Sequence, residues 1–333
     1  MKHSNKEKIL LSINGLNLDA GCIDYLISQI KKNKHYAWIQ NDFIIPIIRK
    51  FSFENFALLK KAYPSLKDSA FEKRLVKFAR AELRKRASLY LTKSSTKLLT
   101  RFMSCSDISK QDLAELCFDF LSSHQSTRER LGIYDSLYHE IARALIPKLS
   151  HKSDAELKNN YAPSMPELAF LDLGCGFNPF SYLLMPDYLL NKSQFTCLDI
   201  DKRVVDALNK FFNLASIKGK AVIADALSFS DQARKAYDCV LAFKLLEILD
   251  VQGHKNSEKI ITSLNFKLFV ASFSRKTISG KSMTLQRKPW LERMLARIGY
   301  QYDIIEFESE IFYFIKKSKP NKHNSKNPIL PGP

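Results

Sequence analysis

The segment that follows residue 168 contains the residues whose types and spacing could do chemistry. An apolar run at 168–173 ends in Gly174 and Gly176, and Pro179 then opens a new apolar-periodic segment. Because glycines let the backbone turn tightly and approach a ligand, and a helix N-terminus offers unpaired N–H groups, a strand, turn and helix of this kind can cradle a nucleotide-like cofactor. A Gly-x-Gly pair also occurs in ordinary tight loops. The segments that follow must therefore show whether this turn binds a cofactor.

Polar residues end the next three apolar runs. Asp199 comes about 25 residues after the turn, where a carboxylate can accept hydrogen bonds from ribose hydroxyls. Asp225 ends the third run and can accept from an adenine amino group, and Lys244 follows the fourth. The turn lacks the third glycine of a dinucleotide-binding motif, which disfavours a nicotinamide-dependent dehydrogenase.

Two arginines lie near the start of a helix predicted at 126–146. Ser126 can cap this helix together with Glu129, as a capping box, which places Arg128 and Arg130 in or near the first turn. The helix dipole disfavours a cation there, so we expect an anionic partner. That partner could be a ligand carboxylate held through two hydrogen bonds, or a neighbouring acid in a salt bridge. The local sequence leaves both open.

The elements that must position these residues alternate between strand and helix after residue 166. This alternation predicts an α/β fold with an open sheet covered on both faces, in which ligands bind beyond the carboxyl ends of the strands. The last two strands are close enough in sequence to pair antiparallel, as in S-adenosylmethionine-dependent methyltransferases. We predict strands at 168–173, 194–199, 220–224, 238–243, 267–273, 302–307 and 310–316, and helices at 179–190, 201–213, 253–264 and 286–298.

The first 150 residues have the apolar spacing of helices and are predicted to form a separate helical domain, before a methyltransferase domain at 151–317 and a disordered tail at 318–333. The polar stretch 94–96 is predicted as a break. The helices are predicted at 7–14, 19–32, 40–50, 53–63, 69–92, 107–122 and 126–146.

The helix at 69–92 has an apolar stripe and a basic face. Lysines and arginines recur on that face at three- and four-residue steps, and basic residues continue beyond it. Such a face could follow a phosphate backbone or could be an ordinary solvated helix surface. Its members are Lys73, Lys77, Arg80 and Arg84, continued by Lys85, Arg86, Lys93, Lys97 and Arg101.

Composition narrows the class of protein. The 333 residues carry a net charge of +18, with 26 basic and 15 acidic residues in the first 150, which favours a polyanionic partner, nucleic acid before membrane. No apolar run approaches the ~18 residues needed to span a bilayer, and no secretory signal is apparent, so we expect a cytoplasmic protein. The six cysteines show no zinc-binding spacing and are expected to be reduced. We expect no metal site.

Several segments together carry a specific resemblance. The chain resembles the Arm/Rmt family of 16S rRNA (guanine-N7) methyltransferases, the aminoglycoside-resistance enzymes, over about residues 70–317. The matching segments run in the order of the family. They are Ser126-Thr127-Arg128-Glu129-Arg130-Leu131, Leu171-Asp172-Leu173-Gly174-Cys175-Gly176-Phe177-Asn178-Pro179, Phe243-Lys244-Leu245-Leu246, Ser279-Gly280-Lys281-Ser282-Met283 and Glu310-Ile311-Phe312-Tyr313.

This resemblance implies a Rossmann-like seven-stranded fold, S-adenosylmethionine as cofactor and the small ribosomal subunit as substrate, bound by a monomer. Arg130, or Arg128 as the alternative, would bind the cofactor's carboxylate. Tyr90 and Lys244 would lie near the guanine, and Lys281 and Met283 in a loop that closes on it. The remaining residues implied to bind the cofactor are Asp172, Gly174, Cys175, Gly176, Asn178, Asp199, Ile200, Asp225, Ala226 and Phe243.

The chain departs from the family in that loop. Ser274 stands where the family has proline, and the loop is about two residues shorter, so that Arg275, Lys276 or Arg287 would have to substitute for a family arginine. If the altered loop no longer closes, the alternative is a methyltransferase-like RNA-binding protein without activity. A methyltransferase acting on another RNA is a further alternative.

Overall fold

The structure of the protein, a computed structural model, describes residues 11–34, 36–86, 91–146, 166–230, 235–249, 253–276 and 287–317. Its first element is an antiparallel hairpin of two short strands, β1 (Leu11–Ile13) and β2 (Leu16–Leu18). Asn14 and Gly15 form the turn with φ angles of 47° and 84°, as a two-residue Asn-Gly turn requires. The helix predicted at 7–14 is therefore wrong from residue 11 onward, because the turn residues outweigh the apolar spacing.

Four helices follow the hairpin and pack with it around one core. They agree with the predicted segments except at their ends, and residues 87–90 at the end of the fourth lie outside the described residues. The core consists mainly of isoleucine, leucine and phenylalanine side chains on the inner faces of these helices. The helices are α1 (Ala20–Lys31), α2 (Asn41–Glu54), α3 (Phe56–Ala62) and α4 (Ala70–Arg86).

The next four helices differ from the prediction in two places. The polar stretch 94–96 lies inside a helix, because Thr92 Oγ1 accepts a hydrogen bond from the Ser95 N–H at 3.0 Å and caps it. The single helix predicted at 126–146 is two helices, separated by residues 129–133. The four are α5 (Lys93–Ser104), α6 (Lys110–Ser123), α7 (Gln125–Arg128) and α8 (Tyr134–Leu145).

A seven-stranded sheet of order β5-β4-β3-β6-β7-β9-β8 forms the rest of the molecule. The first five of these strands are parallel, and β9 is antiparallel to both neighbours, so the predicted α/β class and the antiparallel end pair are confirmed. The strands are β3 (Leu168–Leu173), β4 (Ser193–Asp199), β5 (Gly219–Ile223), β6 (Ala236–Phe243), β7 (Asn265–Ser274), β8 (Tyr300–Glu306) and β9 (Glu310–Lys317).

Helices cover both faces of the sheet. A 3-10 helix, Asn178–Leu184, follows β3 where a regular helix was predicted. One face of the sheet shares a continuous core with α5, α6 and α8. The predicted domain boundary at residue 150 stays a prediction, and residues 147–165 and 318–333 lie outside the described ranges. The remaining helices are α9 (Asp187–Leu190), α10 (Lys202–Leu214), α11 (Ala226–Ser230), α12 (Leu246–Leu249), α13 (Lys255–Ser263) and α14 (Pro289–Arg297).

Candidate active site

A cavity of about 410 Å³ opens at the carboxyl ends of β3, β4, β5 and β6, and we call it the site cavity. The structure brings into its lining every residue proposed to bind the cofactor except Arg128, which is exposed elsewhere. The lining includes Arg130, Asp172, Gly174, Cys175, Gly176, Asn178, Asp199, Ile200, Asp225, Ala226, Phe243 and Lys244.

The glycine turn after β3 forms one wall of the site cavity. Gly174 and Gly176 have φ angles of +58° and +50°, which L side chains rarely adopt. A Cβ on Gly174 would lie 2.8 Å from Leu245 Cδ1, so the turn packs directly on the segment after β6. Burial raises the pKa of the Cys175 thiol in this turn well above its usual value and so favours the neutral thiol.

Asp172 holds the glycine turn in place through two hydrogen bonds. Its carboxylate accepts hydrogen bonds from Asn178 Nδ2 and from the Tyr182 hydroxyl, each at 2.8 Å. Burial raises the pKa of Asp172 to about 6. The carboxylate thus positions the turn from within the cavity lining. Sequence reasoning did not find Tyr182, since an aromatic residue in an apolar segment has no mark of a polar role.

Asp199, at the end of β4, is positioned by backbone groups. Its two oxygens accept from the N–H groups of Gly176 and Asp201, at 2.9 Å and 2.8 Å. Burial raises the pKa of Asp199 to about 6. Its buried carboxylate at the cavity wall is suited to accept from ribose hydroxyls. Asp225 also lines the cavity, and its Oδ1 accepts from the N–H of Leu227 at 2.8 Å, at the start of α11.

Arg130 enters the site cavity because the chain leaves helical geometry after α7. The predicted capping box is wrong: the side chain of Ser126 contacts His124 Nδ1 at 2.8 Å, and Glu129 binds Lys244. Arg130 Nε donates to both oxygens of Glu310 at 3.0 Å, so its partner is an acid 180 residues away. No sequence signal marked this pair.

Three further side chains orient the Arg130 guanidinium. Its Nη1 donates to Asn178 Oδ1 at 3.2 Å and to the Tyr134 hydroxyl at 3.4 Å, and the group stacks 4.9 Å above the Phe243 ring. Within the described residues, no hydrogen bond engages Nη2. This nitrogen is therefore the one suited to receive a ligand carboxylate.

Lys244 follows β6 with a φ angle of +53°, a conformation that costs free energy in a non-glycine residue and is held by its surroundings. Its N–H donates to the carbonyl oxygen and hydroxyl of Ser272, at 3.1 Å and 3.0 Å. Its ammonium lies 2.5 Å from Glu129 and 3.3 Å from Glu310. The backbone and the side chain are thus both fixed at the cavity wall.

His124 also lines the site cavity, although sequence reasoning did not single it out. Burial and the neighbouring cations Arg130 and Lys244 lower the pKa of its imidazole to about 4, so the ring is neutral near pH 7. Tyr90, Lys281 and Met283, which were predicted near the target base, lie outside the described residues.

The loop residues considered as substitutes for a family arginine are all engaged within the chain. Arg275 lies 3.2 Å from Glu306, Lys276 lies 2.6 Å from Glu308, and Arg287 lies 2.8 Å from Glu292. Arg275 also donates from Nη1 to the carbonyl oxygen of Phe307 at 2.7 Å, so it is held more firmly than the other two.

The basic face predicted on α4 needs one correction. Arg80 donates to the carbonyl oxygens of Gln29 and Ile30, at 2.8 Å and 3.2 Å, and so caps the end of α1. The other cations of this face are exposed, as are those of α5, and the side chains of residues 85 and 86 are outside the description. The exposed set is Lys73, Lys77, Arg84, Lys93, Lys97 and Arg101.

This geometry fits S-adenosylmethionine. A free guanidinium nitrogen suits a carboxylate, a buried aspartate suits a ribose, and a glycine turn with left-handed φ angles suits close approach of a ligand to the backbone. Across the described residues, no helix is long and apolar enough to cross a membrane, and no cluster of acidic, histidine and cysteine side chains could hold a metal ion.

The sheet order and the ligand cavity at its carboxyl edge define the class of S-adenosylmethionine-dependent methyltransferases. Within that class, the match to the ribosomal RNA methyltransferase (FmrO) family covers residues 63–315, and the chain belongs to this family. The family assignment confirms the predicted rRNA methyltransferase class and its cofactor.

Individual relatives agree with this assignment. The chain is similar to the 16S rRNA (guanine(1405)-N(7))-methyltransferase of Proteus mirabilis, 27% identical over 52% of this chain, and spans only about half (54%) of that protein. It is also similar to the enzyme of the same name from Serratia marcescens, 26% identical over 74% of this chain and 84% of the relative.

Solved structures show the same fold. The 16S rRNA methylase RmtB aligns with a TM-score of 0.59 and 22% identity, over 89% of this chain and 98% of RmtB. The 16S rRNA methyltransferase RmtF, in complex with S-adenosyl-L-homocysteine, aligns with a TM-score of 0.62 and 20% identity over the same shares.

Proposed function

We propose that this protein transfers a methyl group from S-adenosylmethionine to N7 of a guanine in the decoding-site region of 16S rRNA. The observation that carries the proposal is a cavity with the cofactor-binding groups of the class, in a chain of an rRNA methyltransferase family. The choice of guanine as the target base and of N7 as the methylated atom follows the names of the relatives.

The proposed cofactor contacts use the groups that the fold leaves accessible. Arg130 Nη2 would bind the carboxylate, Asp199 the ribose, and Asp225 with Ala226 the adenine. Gly174 and Gly176 let the backbone pass close to the methionine part. When bound, S-adenosylmethionine supplies an electrophilic methyl group on a sulfonium.

The protein's own contribution is positioning. Guanine N7 carries a lone pair on the major-groove edge, so no side chain has to remove a proton before it reacts. The cavity walls around Lys244 would hold the base in line and exclude water. The base must first leave its stack, which costs a few kcal/mol. Tyr90, Lys281 and Met283 are the residues proposed to cover it.

The exposed cations of α4 and α5 support binding of the surrounding rRNA. Lys93, Lys97 and Arg101 lie four residues apart along one face of α5, and within the described residues no ion pair engages them. Such rows contact phosphates without reading sequence. We propose that a monomer binds the small ribosomal subunit in the cytoplasm and that methylation gives aminoglycoside resistance.

Transfer of a radiolabelled methyl group to purified small subunits tests the proposal. We expect incorporation into 16S rRNA, with strand cleavage by borohydride and aniline at one N7-methylguanine. Asp199→Ala and Arg130→Gln variants should lose both cofactor binding and incorporation. RNA binding without any incorporation by the wild-type protein would instead support the inactive RNA-binding alternative, and a modified nucleotide in another RNA would redirect the substrate.

A further inference from the structure

The site cavity has two halves with different chemistry. The ends of β3, β4 and β5 supply most of the groups suited to the cofactor, Arg130 and Phe243 lie at the border, and Lys244, Glu129 and Ser274 line the half beyond β6 and β7. Since most of the cofactor groups come from the first half, the second half is the one left for the target base. The charged pair in this second half is therefore in a position to contact the base.

Lys244 and Glu129 form an ion pair that stays accessible from the cavity. Their side chains are 17% and 25% exposed, whereas Glu310, which also contacts Lys244, is 0% exposed. Gln125 Nε2 donates to Glu129 Oε1 at 2.9 Å, and Lys244 Nζ donates to Oε2 at 2.5 Å. The pair thus presents a donor and an acceptor side by side in a fixed orientation.

We propose that this pair selects guanine: the Lys244 ammonium donates to O6, and the Glu129 carboxylate accepts from N1–H. The proposal rests on the proposed function and deepens it. O6 neighbours N7 on the base edge, and N1–H is the next polar group along the ring, so a base with N7 toward the methyl donor turns both groups toward the same wall.

Adenine has the opposite pattern at these two positions. Its 6-amino group would point hydrogens at the Lys244 ammonium, and its unprotonated N1 would meet the Glu129 carboxylate. Both contacts place like against like, hydrogens against the ammonium and a lone pair against the carboxylate, and a polar pocket rejects an analogue whose hydrogen-bonding groups do not match its own. Adenine N7 also carries a lone pair, so discrimination has to come from such contacts rather than from reactivity.

Small subunits carrying guanine, inosine or adenine at the methylated position test the proposal by measurement of kcat/KM for each base. Inosine keeps O6 and N1–H and lacks the 2-amino group, so we expect it to react within about 10-fold of guanine. Adenine should react about 10- to 100-fold more slowly, the discrimination of a bidentate contact. Lys244→Met should lower the guanine rate at least about 10-fold more than the adenine rate, so that the ratio of the two rates falls.

Glu129→Gln is the second variant, because it is nearly isosteric and keeps the chain's packing. Its amide can donate to adenine N1, so the ratio of guanine to adenine rates should fall at least about 10-fold. Cofactor affinity, measured by calorimetry, should stay within a few-fold of wild type in Glu129→Gln. The exposed ion pair of Lys202 and Asp206, 2.6 Å apart, supplies the matched control Lys202→Met. This control should leave both the ratio of guanine to adenine rates and the cofactor affinity unchanged.

Equal loss of guanine and adenine methylation in both variants would assign the pair a structural role and overturn the proposal. Unchanged guanine rates in both variants would overturn it as well. A failure of the proposed function has a different signature, since the wild-type protein would then not methylate guanine-bearing subunits at all.

Discussion

The polar residues of the site cavity bind one another. A continuous chain of hydrogen bonds and ion pairs connects the glycine turn with the wall that contains Lys244. In such a buried network, removal of one member leaves its partners unpaired, so single substitutions have effects beyond their own contacts. The chain runs through Asp172, Asn178, Arg130, Glu310, Lys244 and Glu129.

Asp199 should make cofactor binding depend on pH. Its pKa is raised to about 6 by burial, and hydrogen bonds from ribose hydroxyls favour the ionised form, so binding lowers this pKa. Affinity should therefore be constant above about pH 6 and weaken as the pH falls below it, with release of protons on binding near pH 6. Calorimetry in buffers of different ionisation enthalpy measures both.

The variant Asp199→Asn should bind the cofactor about 1.5–3 kcal/mol more weakly, with a flatter pH profile. Asp206→Asn, at an exposed position, is its control. Affinity of wild type that is independent of pH between 5 and 7 would contradict the assignment of Asp199 to the ribose.

Gly174→Ala should remove cofactor binding and destabilise the fold. The alanine would adopt a φ angle of +58°, which costs about 1–2 kcal/mol, and its Cβ would lie 2.8 Å from Leu245 Cδ1. Gly299→Ala is the matched control, because Gly299 has a φ angle of +72° with no atom within 4 Å. Gly299→Ala should lose only about 1–2 kcal/mol, the cost of the backbone conformation, and keep cofactor affinity. Chemical denaturation and calorimetry distinguish the two outcomes.

At the scale of elements, α10 holds the C-terminal end of α5. Lys210, on α10, donates from Nζ to the carbonyl oxygens of Phe102 and Met103, at 2.7 Å and 3.3 Å, and also to that of Cys105. A cation at the end of a helix is favoured by the helix dipole and satisfies carbonyl groups that have no partner within the helix. This contact joins the helical region to the sheet layer.

Lys210→Met should therefore lower the free energy of unfolding by about 1.5–3 kcal/mol, the loss expected for hydrogen bonds from a charged group. Lys202→Met, on the same helix, removes an exposed pair with Asp206 and should cost less than about 1 kcal/mol. Urea denaturation followed by circular dichroism measures both. Equal stability of the two variants would show that the α5 contact contributes nothing.

At the scale of the whole molecule, the N-terminal lobe, residues 11–86, reaches the wall of the site cavity that follows β4. Ile200 packs into the core of this lobe and also lines the site cavity. The guanidinium of Arg203 stacks 4.3 Å from the Trp38 ring, beside that contact. The lobe is thus fixed to the segment that follows Asp199.

Replacement of Lys93, Lys97 and Arg101 by glutamine should weaken binding to small subunits and reduce its dependence on salt. Each phosphate contact contributes a slope of about 0.7–0.9 in log K against log salt, so the triple variant should lose about 2 to 3. Cofactor affinity should be unchanged. Filter binding over a range of salt concentrations measures the slope.

A control with the same change in charge separates local contacts from net charge. Lys220, Lys255 and Lys267 are exposed on the sheet and its covering helix. Their replacement by glutamine should leave the slope nearly unchanged. An equal effect of the two triple variants would mean that the α5 row makes no specific contact.

The sequence by itself determined which segments form strands and which residues stand at the ends of those strands. Apolar runs of strand length are set by local composition, and the carboxyl ends of parallel strands meet at one edge. For that reason the sequence alone predicts that Gly174, Asp199 and Lys244 lie close together at one edge of the sheet. The hairpin at 11–18 was missed although its Asn14-Gly15 turn is a local signal.

Only the tertiary structure decided which groups pair. Arg130 meets Glu310 across 180 positions, and Arg80, predicted on an RNA-binding face, caps α1 instead. Tyr134 and Tyr182 have polar roles that their apolar surroundings conceal. The physical reason is that a buried charge takes the partner that the packing of distant elements brings within hydrogen-bonding distance, and local spacing carries no information about that partner.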